Sequence, residues 1–123
     1  PKHASVTTDG AILYTSMNVL AEAYDAVMDS PEMWTLNRGL SNNPVRDQLL
    51  PAYEPMMKRV TDRVLQRFVY SGDVLRIRSG TSCDILGKAK DPITGEVLYK
   101  VKLTSGRDSS TTGYIHKSAV RAN

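Results

Sequence analysis

Short runs of alternating apolar and polar residues occupy the last third of the chain, and they constrain its fold more than any other feature. Residues 74–79 and 97–103 place apolar side chains at every second position, and residues 113–118 form a third short run. Turn-forming segments separate the runs: 79–82, the Pro- and Gly-containing 91–95, and the polar 105–112. Alternation bounded by such turns predicts half-buried antiparallel strands. We therefore predict a small antiparallel β-barrel over residues 71–123.

The first seventy residues predict helices instead. Leu13, Met17, Leu20, Tyr24 and Val27 recur at spacings of four and three, which places them on one stripe of a helix. This helix is expected to begin after an N-cap near residue 9 and to end near residue 29, after a flexible arm over residues 1–8.

Two further helices are expected before the barrel. Ser30-Pro31 is a helix-start signal, and Gly39 is expected to end a short helix. Pro51 and Pro55 are expected to make residues 51–54 a kink or a tight connector, before a second long helix that ends near residue 71. The predicted fold class is therefore α+β, with a helical platform over residues 1–70, made of two longer helices and short ones, followed by the barrel.

The barrel segment resembles a known family. Leu75-Arg76-Ile77-Arg78-Ser79-Gly80-Thr81-Ser82 is similar to the opening motif of bacterial SH3 domains. Leu98-Tyr99-Lys100-Val101 resembles their aromatic strand, and Gly113-Tyr114-Ile115-His116-Lys117-Ser118 resembles their closing segment. The family's usual tryptophan and proline are Leu98 and Thr81 here. The resemblance implies an SH3-like barrel in the broad sense, and cell-wall peptide binding as one function such a domain can have.

Charge is unevenly distributed along the chain. Residues 1–70 carry seven Lys/Arg against eight Asp/Glu, or −1, whereas residues 71–123 carry nine against five, or +4. A basic barrel suits an acidic partner, either protein or nucleic acid.

Other composition features narrow the class of protein. Cys83 is the only cysteine, so an intrachain disulfide is excluded, and with His3 and His116 it has no metal-ligand spacing. No catalytic or cofactor motif is present, so we expect neither an enzyme nor a cofactor or metal site. No apolar run reaches the ~20 residues of a membrane span, and residues 1–5 show no secretion signal, so a cytoplasmic or virion location is expected.

The residues expected to contact a protein partner are aromatic or basic. Trp34, the only tryptophan, fits either a plug between helices and barrel or an exposed anchor. On the barrel the candidates are Arg76, Tyr99, Tyr114 and His116.

A second set of residues suits nucleic acid. Arg59, Arg63 and Arg67 recur every four residues and form a basic ridge, to which Lys88 and Lys90 of the barrel can add. The alternative for the ridge is a solvated face that pairs with Glu22, Asp25 or Asp29 of the first helix.

The leading functional hypothesis is a non-enzymatic docking or assembly protein, a structural subunit of a larger complex such as a phage or virus particle. Its expected partners are proteins, including other copies of the chain. The first alternative is a nucleic-acid-binding module, and the second is a cell-wall peptide-binding SH3 domain.

Overall fold

The computed structural model describes residues 2–123, which form a seven-stranded antiparallel sheet and three helices. The strands are β1 (Lys2–Val6), β2 (Ala11–Tyr14), β3 (Val74–Ile77), β4 (Ser82–Lys90), β5 (Val97–Leu103), β6 (Thr112–His116) and β7 (Val120–Ala122). The helices are α1 (Met17–Met28), α2 (Pro31–Leu40) and α3 (Arg46–Ser71), and a 3-10 turn spans Lys117–Ala119. Neighbouring strands follow the order β3-β2-β6-β5-β4-β1-β7.

The predicted fold class is wrong in one respect: the helices do not all precede the strands. β1 pairs with β4 and β7, and β2 lies between β3 and β6, so residues 2–14 belong to the sheet. All three helices lie between β2 and β3 in the chain. The boundary predicted at residue 70 falls at the end of α3, but the segment before it contains the first two strands.

The error came from two short segments near the N-terminus. The expected flexible arm is β1, whose Ala4 and Val6 are buried. Leu13 fits the helical stripe by spacing, but it lies in β2 opposite Leu75. The helix begins only at residue 17, where the Ser16 side chain accepts a hydrogen bond from the Val19 N–H. Because a strand of four or five residues shows so little alternation, pairing with distant strands decides its structure.

The sheet curls around a single apolar core. Its core cluster contains buried residues from β1 to β6, and Val120 of β7 packs against it. Ile77 of the edge strand β3 lies in that cluster together with residues of the opposite end of the sheet. Because both edge strands share one core, the sheet closes toward itself. The residues that carry the SH3 resemblance lie in β3 to β6 and the 3-10 turn; family membership stays a prediction.

The helices pack on the outer face of the sheet near β2 and β3. Val19 and Ala23 of α1 meet Leu65 and Phe68 of α3 over Val74. A second helical cluster joins the three helices to one another through Val27, Met33, Leu36 and Val60. This arrangement buries the predicted stripe of α3 at Val60 and Phe68.

Two expectations about helix ends have different outcomes. Ser30 caps α2, as predicted, since its side chain accepts from the Met33 N–H. The predicted connector at residues 51–54 is wrong, because α3 runs through both Pro51 and Pro55. The two prolines are exposed and four residues apart, so the carbonyl groups that lose a donor lie on one solvated side of the helix.

None of the helices within residues 2–123 has the length and apolar character needed to cross a membrane.

Gly113 is required where β6 crosses β2. A Cβ atom at this position would lie 2.6 Å from the carbonyl oxygen of Tyr14 and would also overlap the Leu13 side chain. Backbone cannot give way as a flexible side chain can, so a larger residue forces β2 and β6 apart.

We predict that Gly113→Ala lowers the free energy of unfolding by about 1–3 kcal/mol, the usual range for overpacking a core. Urea unfolding followed by circular dichroism measures it. Gly87→Ala is the matched control, because nothing lies within 4 Å of a Cβ at that position. Equal stability of the two variants would contradict the close approach of β6 to β2.

Candidate functional site

A cleft of about 640 Å³ lies where β3 diverges from the beginning of β4 and the end of β5. We call it the seam cleft. Its apolar floor is formed by Val69 of α3, Leu75 and Leu103. Arginine side chains and the loop between β5 and β6 form its walls, and the full lining is Val69, Leu75, Arg76, Ile77, Arg78, Thr81, Leu103, Ser105, Gly106, Arg107 and Asp108.

Local structure explains why arginines surround an apolar floor. Leu75 and Ile77 of β3 face the core of the sheet, so Arg76 faces the other way, and Arg78 directly follows the end of the strand. The opposite wall is the loop after β5, which is fastened to β4 because the Ser82 N–H donates to Ser105 Oγ at 2.8 Å. This contact places Arg107 across the cleft from Arg76 and Arg78.

The seam cleft is cationic. An Nη of Arg76 lies 3.8 Å from Asp62 Oδ1, so the charge of Arg76 is partly offset. Neither Arg78 nor Arg107 forms an ion pair with any residue between 2 and 123. Asp108 is the one carboxylate in the lining. The cleft can therefore bind an anionic group over an apolar surface.

A second cleft, of about 470 Å³, separates α3 from β2 and β6. It is lined by Lys58 and Asp62 of α3, by Tyr14 and by His116. Arg76 lines this cleft as well as the seam cleft. Two residues selected from the sequence, Arg76 and His116, thus meet at one surface.

His116 lies between two carboxylates. Its Nδ1 is 3.0 Å from Glu96 Oε2, and its Nε2 is 3.8 Å from Asp91 Oδ2. Nδ1 is buried and has no aligned hydrogen-bond partner, although the Glu96 carboxylate lies beside it. Burial raises the pKa of the nearby Tyr14 phenol, and the negative charge of Asp91 raises it further. The phenol therefore stays protonated at neutral pH.

Asp91, one of the two carboxylates beside His116, stabilises the turn that follows β4. It is 5% exposed, and its Oδ1 accepts from the N–H groups of Ile93 at 2.9 Å and Thr94 at 3.3 Å. These bonds close the predicted hairpin turn between β4 and β5. The two hydrogen bonds thus account for the burial of this carboxylate.

The remaining candidates for partner contact lie apart from the clefts. Trp34 is 63% exposed on α2, so the interpretation as a plug between helices and barrel is wrong. Tyr99 packs against the core of the sheet. Tyr114 is half-buried, opposite Tyr14 and Lys100 in the strand register.

Some of the candidate nucleic-acid residues contact other residues of the protein, and the others are exposed. Arg63 pairs with Glu32, and the Arg67 guanidinium lies 4.9 Å from the centre of the Phe68 ring. Two members of the expected ridge are therefore engaged within the protein. Arg59, Lys88 and Lys90 are exposed.

Sequence reasoning missed Arg78, Arg107 and Tyr14 as site residues. Arg78 was visible in the alternation of β3, but Arg107 was one polar residue in a long loop. Tyr14 lies inside the first predicted helix, so its place in the sheet has no sign in the sequence. Cys83 is buried, and burial followed by the charge of Asp84 raises the pKa of its thiol, which suits a small core residue.

Residues 2–123 contain no group of three or more His, Cys, Asp or Glu that could hold a metal ion. Comparison with known proteins found no matching family model, curated protein or solved structure.

We predict that Asp91→Ala lowers the free energy of unfolding by about 1–3 kcal/mol, because the two part-buried hydrogen bonds from Ile93 and Thr94 lose their acceptor. Asp91→Asn keeps an acceptor oxygen and is expected to lose less than about 1 kcal/mol. Urea unfolding measures both. If the two variants lose the same stability, the turn hydrogen bonds are not what holds this hairpin.

Proposed function

We propose that this chain is a non-enzymatic docking protein that holds an acidic segment of a partner protein in the seam cleft. The observation that carries the proposal is the pairing of an apolar floor with Arg78 and Arg107, neither of which has an ion-pair partner within residues 2–123. Arginine is favoured at protein interfaces because its planar fork binds carboxylates and its stem packs on apolar groups.

Distribution of charge supports a further part of the proposal, that the chain works as a subunit of a larger assembly. The outer face of α1 carries Glu22, Asp25 and Asp29, all exposed, and none is within ion-pair distance of a cation in the described chain. The neighbouring α2 exposes Trp34 beside a depression of about 430 Å³ that Met28 also lines. An acidic helical surface and a basic sheet give two copies of the chain complementary faces. A phage or virus particle is a setting that fits such a subunit.

Docking in the seam cleft predicts a strong effect of charge reversal there. The probe is a fluorescent peptide of about ten residues with alternating Val and Glu, because that length spans an average strand or more. We expect Arg78→Glu combined with Arg107→Glu to weaken its binding at least about tenfold, through lost and reversed charge contacts. Fluorescence anisotropy at fixed ionic strength measures the affinity.

The matched control is Arg46→Glu combined with Arg59→Glu, which changes net charge equally on the exposed surface of α3. We expect this control to change affinity by less than about threefold, since exposed charges at a distance are screened. Equal loss in the two double variants would contradict docking in the cleft.

A separate binding measurement with a DNA duplex tests the alternative, a nucleic-acid-binding module. Lys88 and Lys90 are exposed and make no ion pair within the described residues. Tight binding of a DNA duplex that falls steeply with salt, and that weakens in Lys88→Ala and Lys90→Ala, would replace the docking proposal with this one.

Assembly predicts that the chain sediments as a species heavier than its 13.6 kDa monomer. We expect Trp34→Ser to shift the sedimentation coefficient toward the monomer, because an exposed aromatic anchor loses its buried area. Leu86→Ser, which removes another exposed apolar side chain from the sheet, is the control and is expected to leave the mass unchanged. A monomer at every concentration, with or without salt, would rule out self-assembly of the chain.

A further inference from the structure

The edge of β3 that faces the seam cleft is open. β3 stands at the end of the strand order, so its only neighbour is β2. The Thr15 N–H donates to the Asp73 carbonyl at 3.0 Å, and the Gly10 N–H donates to the Ile77 carbonyl at 2.9 Å. In an antiparallel ladder, hydrogen-bonding direction alternates along each strand. The peptide groups of Asp73, Leu75 and Ile77 therefore face β2, and those of Val74 and Arg76 face away from it.

The main-chain groups of Arg76 have no partner among residues 2–123. The next outward-facing carbonyl, that of Arg78, is occupied, since it accepts from Thr81 N at 3.2 Å and Thr81 Oγ1 at 2.8 Å. Toward the C-terminal end of β3, the free edge thus stops at Arg76. Arg76 forms part of the wall of the seam cleft.

We propose that the partner segment binds as an added β-strand, hydrogen-bonded to the main chain of Arg76 along the free edge of β3. This inference rests on the proposed docking function and specifies its ligand: an extended peptide with alternating acidic and apolar residues. A short open edge is a template for strand addition, in which main-chain hydrogen bonds supply affinity and side-chain pockets supply specificity.

The alternation follows from the two faces of β3. Side chains of an added strand alternate between faces, as those of β3 do. On the core side the added residues meet Leu75, Ile77 and Leu103, which favours apolar side chains. On the other side they meet Arg76, with Arg78 close by, which favours carboxylates.

The positive charges beside the β3 edge favour pairing with a segment of a different protein over pairing with the same strand of a second copy. Pairing two β3 edges would bring Arg76 and Arg78 of each copy against each other, and like charges on adjacent strands are destabilising. The other edge strand, β7, exposes Arg121, so pairing β3 of one copy with β7 of another would also set cation against cation. An acidic segment relieves this repulsion.

The test uses the alternating Val/Glu peptide in three forms: unmodified, N-methylated at every Val, and N-methylated at every Glu. In an added strand the N–H groups of only one residue type face β3, whichever direction the peptide runs. We expect one methylated form to bind at least about tenfold more weakly and the other to stay within about threefold of the unmodified peptide.

Two variants of the protein test the same hydrogen bonds from the other side. Arg76→Ala removes the side chain and keeps the N–H, whereas Arg76→Pro removes both. We expect Arg76→Pro to bind the unmodified peptide at least about fivefold more weakly than Arg76→Ala. Circular dichroism checks that each variant is folded, and the peptide series decides the question if Arg76→Pro is not.

The outcomes separate this inference from the proposed function. If the charge-reversal variants bind the peptide more weakly but its two methylated forms bind equally well, docking stands and strand addition is overturned. If the unmodified peptide does not bind at millimolar concentration, the docking function itself fails. If the protein self-associates and Arg76→Pro abolishes the association, the edge of β3 pairs with a second copy of the chain. That result would overturn the inference of an acidic partner segment.

Discussion

The structure depends on one cross-strand pair, Tyr14 with Val74, which joins the two ends of the helical insertion. These residues are directly opposite in the β2–β3 ladder although the chain between them contains all three helices. The helices thus take the place of a hairpin turn. Closing so long a loop costs conformational entropy that grows only slowly with its length, and the burial of Val74 beneath Phe68 and Leu65 offsets it. The sheet and the helical layer therefore fold as parts of one arrangement, because each completes a surface of the other.

The insertion also determines where the protein can bind something. The helices cover the outer face of β2 and β3 but not the edge of β3, since packing follows the apolar side chains of Ile12 and Val74, which point out of the plane of the sheet. One side of β3 is consequently protected and its edge is left beside the seam cleft. α3 supplies Val69 to the floor of the cleft and Asp62 as the ion-pair partner of Arg76. The helical layer therefore shapes the cleft without closing it.

Much of the C-terminal half of the sheet could be predicted from local sequence. The strands β3, β5 and β6, the turn at Asp91 and the end of α3 at Gly72 each have a strong local signal, either alternation or turn chemistry. β1 and β2 could not be predicted in this way, because a few residues such as Ala4 and Val6 match several patterns equally well. Their structure is decided by distant strands, since β1 pairs with β4 and β2 pairs with β3 and β6.

The same contrast explains the candidate site. Arg76 and His116 could be selected singly, since each is a polar residue in a recognisable strand, but their meeting at one surface depends on the placement of β2 between β3 and β6. The seam cleft is less predictable still, because it combines α3, β3 and the loop after β5. A cleft made by divergence of strands has no signature within any one segment. What the sequence does contain is the charge of this region, because basic residues outnumber acidic ones over residues 71–123. An excess of like charge at an open edge disfavours pairing of that edge with a second copy of itself.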